Sequence, residues 1–115
     1  MAKRSEATLH GTYLFAYDRI QIQGNDKGPF ATGGSQVHDG RRKVNGVYSA
    51  NFNGKIFSNE PFSGTYIVNT DCTGTVTFMD GTHYDLFIAP ECSKFTFVQT
   101  DPRFVTSGTT QRVGD

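Results

Sequence analysis

The sequence predicts an all-β domain, and three observations support that prediction. Five tyrosines, ten phenylalanines and thirteen glycines accompany many Thr, Val and Ile residues, a mixture that favours pleated strands joined by tight turns. No window of about eleven residues keeps a helical apolar period. The pairs Asp39-Gly40, Asn53-Gly54 and Asp80-Gly81 are typical of tight hairpins, whose central positions favour positive φ.

Turn signals divide the chain into short strand candidates. These are 10–17, 20–23, 29–38, 43–52, 55–68, 72–79, 82–88 and 93–99, with an edge strand or ordered tail at 104–112. Consecutive hairpins favour a single antiparallel β-barrel of about eight strands, and a small jelly roll or sandwich is the alternative. Residues 1–9 are predicted to be a flexible N-terminal arm, and residues 10–112 the barrel domain.

Charge and hydropathy limit the possible partners. Eleven basic and eleven acidic side chains give a formal net charge of zero, so we expect no nucleic-acid partner. No apolar run approaches the roughly 20 residues of a membrane span, so we expect no membrane partner. The first residues lack the apolar stretch of a signal peptide. We therefore expect a soluble, cytoplasmic protein, while a secreted or periplasmic location stays open if a leader has been removed.

The two cysteines are predicted to be free thiols. Cys72 and Cys92 fall at the starts of strands that lie one strand apart in a meander. Adjacent strands are about 4.8 Å apart, so next-but-one positions are near 10 Å, beyond the roughly 7 Å reach of a disulfide.

Alternation of apolar and polar residues assigns one face of each strand to the interior. The predicted interior rows are Val44, Gly46, Tyr48, Ala50 and Phe52; Gly74, Val76 and Phe78; Tyr84, Leu86 and Ile88; and Phe95 with Phe97. Aromatic walls with a few polar groups are typical of a pocket for a small apolar ligand. The predicted ligand-binding residues are Tyr48, Tyr66, Tyr84, Phe62 and Phe95.

Glu60 is the candidate catalytic residue. It falls on the same predicted row of strand 55–68 as Ile56, Phe62 and Tyr66, where burial would favour the neutral form of a carboxyl group and suit it to acid/base work. In the other interpretation, a bulge at Pro61 turns Glu60 towards solvent, because proline cannot donate to a ladder.

His83 and Asp85 form the candidate metal motif. A His-x-Asp pair with a distant His is the ligand set of non-haem iron oxygenases. Strand counting places His10 near His83 at one end of the sheet and His38 at the other. A copper or iron site formed by His10, His83 and Asp85 is therefore one hypothesis. The other is that His83 and Asp85 lie on the solvated outer face beside Phe87.

Five segments carry a resemblance to a known family. They are "GTYLFAYD" (11–18), "PFATGG" (29–34), "GVYSANFNG" (46–54), "FSGTYIVNTDCTGTVTF" (62–78) and "FTFVQTDP" (95–102). They resemble small bacterial proteins with an allene-oxide-cyclase-like, or more broadly calycin-like, β-barrel. The resemblance covers about residues 10–112. It implies a cofactor-free isomerase or cyclase, or a ligand carrier, and association into dimers or trimers.

Three functional hypotheses follow. The first is cofactor-free binding of a small hydrophobic molecule in the barrel, with isomerase or cyclase activity that uses Glu60. The second is a metal-dependent oxidative enzyme on a jelly roll. The third is a non-catalytic oligomeric module with Phe57 and Phe87 at the contacts between subunits.

Overall fold

The computed structural model describes residues 8–114 and has the predicted fold, a closed antiparallel barrel. Its strands are β1 (His10–Gln21), β2 (Gly28–Asp39), β3 (Lys43–Phe52), β4 (Lys55–Val68), β5 (Thr73–Phe78), β6 (His83–Ile88), β7 (Lys94–Gln99) and β8 (Phe104–Gly114). Each strand pairs with its neighbours in sequence, and β8 returns to pair with β1. Closure satisfies the backbone hydrogen bonds that an open sheet would leave at its edges.

The barrel has two different ends. The loops 22–27, 53–54, 79–82 and 100–103 lie at what we call the open end, and 40–42, 69–72 and 89–93 lie at the closed end. Strands β5, β6 and β7 have six residues each, whereas β1–β4 have 10 to 14. Because β5 pairs only with Gly64–Val68, the first half of β4 extends beyond β5 at the open end.

Three predicted boundaries are wrong. The predicted break between segments 10–17 and 20–23 is absent, and β1 runs unbroken from His10 to Gln21, because Asp18 and Arg19 pair with β2 and β8 rather than turning. Segment 104–112 is a full strand that closes the barrel. Residues 1–7 of the predicted arm lie outside the described residues, but Leu9 is 0% exposed and belongs to the core.

The predicted hairpin turns are present, but only one of them has two positive φ angles. Asn53 and Gly54 have φ values of 50° and 98°. At Asp39-Gly40 and Asp80-Gly81, the glycine takes the positive φ. The aspartate instead accepts hydrogen bonds from backbone N–H groups, such as that of Thr82 to Asp80 Oδ1 at 3.0 Å. These are Asx turns, which the carboxylate stabilises locally.

The predicted interior faces of β3, β5, β6 and β7 agree with the alternation of buried and exposed residues. Strand β4 differs. Asn59 has a φ of 52°, and the register slips so that Glu60 pairs with Tyr48 whereas Phe57 pairs with Ala50. This bulge turns Phe57 into the barrel and leaves Ile56 63% exposed. The assignments of Ile56 to the interior and of Phe57 to a subunit contact are therefore wrong.

Four aromatic rings lie over glycines on the adjacent strand. The directly opposed pairs are Phe15 with Gly34, Phe62 with Gly46, Phe78 with Gly64 and Phe97 with Gly108. At each of these glycines, an added Cβ would lie 2.6 or 2.7 Å from the opposed ring. Only glycine leaves room for the ring, and such pairs accompany the strong bending by which a sheet closes into a barrel.

Gly34 and its neighbour Gly33 give a matched test of this packing. A Cβ on Gly34 would lie 2.2 Å from the carbonyl oxygen of Val47, whereas one on Gly33 would meet nothing nearer than 3.7 Å. Gly34→Ala should lower the free energy of unfolding by about 3 kcal/mol or more, because both the backbone and the Phe15 ring must move. Gly33→Ala should change it by less than about 1 kcal/mol. Urea unfolding measures both, and equal losses would contradict this account.

The closed end is filled by a solid core. Tyr66 donates a hydrogen bond to the carbonyl oxygen of Leu9 at 2.8 Å, and Tyr13 donates to that of Cys92 at 3.2 Å. His38 lies between the rings of Tyr13 and Tyr66, with centroids 5.0 and 4.7 Å away. We call the side chains of Tyr13, His38, Val44 and Tyr66 together the plug.

His38 is a neutral buried imidazole. It is 2% exposed, and its Nε2 lies 2.8 Å from the amide nitrogen of Gln36, while Nδ1 has no hydrogen-bond partner within residues 8–114. Burial lowers the pKa of His38 to about 4, against a smaller opposing effect of the Asp39 carboxylate. The folded protein therefore excludes a proton that the unfolded chain accepts.

Acid should destabilise the fold through His38. Because its folded-state pKa lies below the usual value near 6.5, stability should fall as the pH drops from about 6.5 to about 4. The loss is of the order of 3 kcal/mol. His38→Gln should remove this component from the free energy of unfolding measured against pH. His10→Gln, which removes an exposed imidazole at the same end, is the matched control. An equal change in both variants would contradict the assignment to His38.

The outer face carries apolar side chains among polar ones. Phe87 is 53% exposed on β6, on the same face as His83 and Asp85, as predicted. Association of copies through Phe87 stays a prediction, which the molecular mass of Phe87→Ser in solution would test. Within residues 8–114, Cys72 and Cys92 are not joined in a disulfide, in agreement with the prediction. Residues 8–114 contain no helix that is long and apolar enough to cross a membrane.

Candidate functional site

The candidate site is a cavity of about 200 Å³ in the open half of the barrel. Its floor is formed by Gln36, Phe95 and Thr110, which lie directly above the plug. Gln36 contacts His38, and Phe95 packs against both Tyr13 and His38. The barrel is therefore solid at one end and hollow at the other.

Six aromatic side chains surround the cavity in a continuous ring, which we call the aromatic belt. In order around the barrel they are Tyr17, Phe15, Phe62, Phe78, Tyr84 and Phe97, and Phe97 contacts Tyr17 again. The centroids of successive rings are 5.3 to 5.9 Å apart, and five of the six contacts are edge-to-face. This geometry is favourable for aromatic pairs and holds each ring in place.

The belt depends on the aromatic–glycine pairs described above. Phe15, Phe62, Phe78 and Phe97 are the four rings that lie over glycines. The glycines give these rings room against the wall, so that the rings line the cavity. The same contacts that bend the sheet therefore also shape the site.

Arg19 crosses the mouth of the cavity. Its Nη2 donates to the hydroxyl oxygen of Tyr17 at 3.2 Å and also to that of Tyr84, while its Nε donates to Thr106 Oγ1 at 3.2 Å. Tyr84 lies on β6, across the barrel from β1. Burial raises the pKa of Tyr84 above its usual value, so its phenol stays neutral at physiological pH.

The structure places four of the five predicted ligand-binding residues on the cavity wall: Tyr48, Tyr84, Phe62 and Phe95. Tyr66 instead belongs to the plug, where its hydroxyl bonds to Leu9. Burial raises the pKa of Tyr66 to about 12. Its position is a correction to the prediction, since alternation identifies a facing direction but not a depth along the barrel.

Glu60 lies at the rim of the open end, half-buried and directly opposite Tyr48. The bulge lies on the N-terminal side of Glu60, so Glu60 keeps the same orientation as Phe62, towards the interior. Burial raises the pKa of Tyr48, and the Glu60 carboxylate adds to that effect. Glu60 thus lies at the mouth of the cavity, but it is not part of the cavity wall.

The predicted metal ligands do not converge. His10 begins β1 at the closed end, where Arg112 donates to its Nε2 at 3.2 Å, whereas His83 begins β6 at the open end. The predicted break in β1 added one strand and so reversed the direction of every later strand relative to His10. Within residues 8–114, no three His, Cys, Asp or Glu side chains form a metal-ligand cluster.

His83 has a different partner. Its Nδ1 lies 2.8 Å from Asp101 Oδ1, and Asp101 Oδ2 accepts hydrogen bonds from the His83 backbone N–H and from Gln99. Partial burial alone would raise the pKa of Asp101, but these hydrogen bonds outweigh it and lower that pKa. The group joins the 100–103 loop to β6 on the outer side of the open end.

Arg19 is one of the site residues that the sequence prediction missed. The predicted turn at Asp18-Arg19 removed it from any strand. An uninterrupted period of two through Tyr13, Phe15 and Tyr17 would have assigned Arg19 to the interior face.

Comparisons with known proteins support the fold. No family model and no curated protein sequence matches the chain. A redesigned β-barrel is 19% identical, with 96% of each chain covered and a TM-score of 0.52. A de novo designed, fluorescence-activating β-barrel is 12% identical, with 98% of this chain and 100% of the other covered and a TM-score of 0.50. At these identities the likeness shows an eight-stranded antiparallel barrel, without an assignment to a natural family.

Proposed function

We propose that this chain binds a small apolar molecule in the cavity of the barrel, and that the ligand enters through the open end. The aromatic belt is the observation that carries this proposal, because it offers six fixed rings around an enclosed space. Apolar walls with a few polar groups at one side are typical of ligand pockets. The binding needs no cofactor in this proposal.

The size of the cavity indicates a small ligand. Its volume of about 200 Å³ is below the roughly 300–1,000 Å³ of pockets that hold drug-sized molecules. One or two fused rings match this space better than a long alkyl chain. The likeness to designed barrels and the resemblance to allene-oxide-cyclase-like and calycin-like proteins are compatible with this proposal.

Filling the cavity should weaken binding. Ala50 lies on the wall and is buried, whereas Ala31, on the adjacent strand, faces outwards. We expect 2-naphthamide to bind the wild-type chain and Ala31→Phe with similar affinity, as measured by isothermal titration calorimetry. Ala50→Phe should weaken binding by at least about tenfold, or 1.4 kcal/mol, because the new ring occupies the site. Equal affinities of Ala50→Phe and Ala31→Phe for 2-naphthamide would place the ligand elsewhere.

A second candidate function is a cofactor-free isomerase or cyclase that uses Glu60. The observation in its favour is the position of Glu60 at the mouth, on the interior face and opposite Tyr48. A carboxylate there can take a proton from one carbon of a bound substrate and return it to another. The barrel would hold the substrate in a reactive conformation and exclude water.

Isomerisation of 3-cyclohexenone to 2-cyclohexenone, followed by ultraviolet absorbance, tests this second function. Glu60→Gln should reduce the rate by about 100-fold or more, since general acid–base catalysis contributes that much. Asp80→Asn, which changes a carboxylate in the cavity wall, is the matched control. No rate above buffer, or a rate unaffected by Glu60→Gln, would refute the catalytic function and leave the binding function intact.

A further inference from the structure

Within residues 8–114, the guanidinium of Arg19 has no carboxylate among its hydrogen-bond partners. Its three hydrogen-bond acceptors are the hydroxyl groups of Tyr17, Tyr84 and Thr106. It also lies close to aromatic faces, 4.8 Å from the centroid of Phe104 and 5.8 Å from that of Phe30. Hydroxyl groups and ring faces stabilise a cation, but they carry no charge that neutralises it.

No carboxylate in residues 8–114 forms an ion pair with Arg19. Asp80 lines the same cavity, but it forms no ion pair with Arg19. Asp80 Oδ1 instead accepts hydrogen bonds from the backbone N–H and the hydroxyl of Thr82. A half-buried cation without a counter-ion costs free energy, and binding an anion there recovers it.

The position of Arg19 relates it directly to the cavity. The guanidinium contacts two rings of the aromatic belt through their hydroxyl groups, so it lies where the belt meets the mouth. A flat apolar molecule within the belt would present any substituent at its outer end to this guanidinium. Arginine binds carboxylates in a two-pronged geometry, and the hydroxyl groups of Tyr17 and Tyr84 can donate to the same anion.

We infer that the ligand is a small amphipathic anion, an aromatic or alicyclic carboxylate whose ring system lies in the aromatic belt and whose carboxylate pairs with Arg19. This inference rests on the proposed function and adds the chemical class of the ligand. It distinguishes the site from a purely apolar cavity, which would bind neutral and anionic molecules of one shape equally or would reject the anion.

The test compares two probes of the same shape at pH 7. 2-Naphthoate carries a charge, and 2-naphthamide is its neutral counterpart. We expect the wild-type chain to bind 2-naphthoate about tenfold more tightly, a preference typical of one charge-assisted contact at a half-exposed site. Arg19→Met should reduce the ratio of the two affinities to about one or below.

Two further variants make the test specific. Arg103→Met removes an exposed guanidinium at the same end, 6.0 Å from the Phe104 ring, and should keep the preference. Arg19→Lys keeps the positive charge and should retain part of the preference for 2-naphthoate. This variant also tests the role of Arg19 if Arg19→Met does not fold. Equal affinity of the wild-type chain for both probes would overturn the inference and leave the proposed function standing. A preference that persists in Arg19→Met would overturn the role of Arg19, and failure of both probes to bind would overturn the proposed function as well.

Discussion

The packing of aromatic rings over glycines on adjacent strands is the interaction on which this barrel depends. Phe15 over Gly34, Phe62 over Gly46, Phe78 over Gly64 and Phe97 over Gly108 are all directly opposed pairs. An eight-stranded sheet closes only if its strands bend and coil strongly, and a glycine covered by a ring permits the bend without leaving a void. The rings thereby become the wall of the site. Fold and site have a common physical origin in these four contacts.

A second consequence is the division of the interior into a plug and a cavity. At the closed end, Tyr13 and Tyr66 reach loop and N-terminal carbonyl groups, and His38 packs between their rings. Towards the open end, the interior positions are held by rings that lie against the wall and by smaller residues such as Ala50 and Thr32. The buried polar groups of the plug fix its geometry, because leaving any of them without a partner costs free energy. The interior thus has a packed core at the closed end and a cavity towards the open end.

Much of this architecture follows from the sequence, because period-two alternation and Asx-Gly turns are local signals. The interior rows of β3, β5, β6 and β7 and the closed barrel itself are predictable in this way. The failures have specific causes. The charged pair Asp18-Arg19 interrupts the apolar pattern of β1, so the prediction breaks the strand there, loses Arg19 and misplaces His10 relative to His83. The bulge at Asn59 exchanges Ile56 and Phe57 between faces, and no local pattern distinguishes a bulge before Glu60 from one at Pro61. The depth of Tyr66 depends on strand stagger, which is a property of the closed barrel.

Methyl NMR of the chain titrated with 2-naphthamide tests whether a ligand binds in the cavity at the open end of the barrel. We expect the methyl signals of Ala50, Val76 and Leu86, on the cavity wall, to shift on binding. Those of Val44 and Leu9 in the closed-end core and of Ala31 on the outer face should stay in place. Shifts at Val44 or Ala31 equal to those at Ala50, or no shifts at all, would show that the ligand does not bind in this cavity.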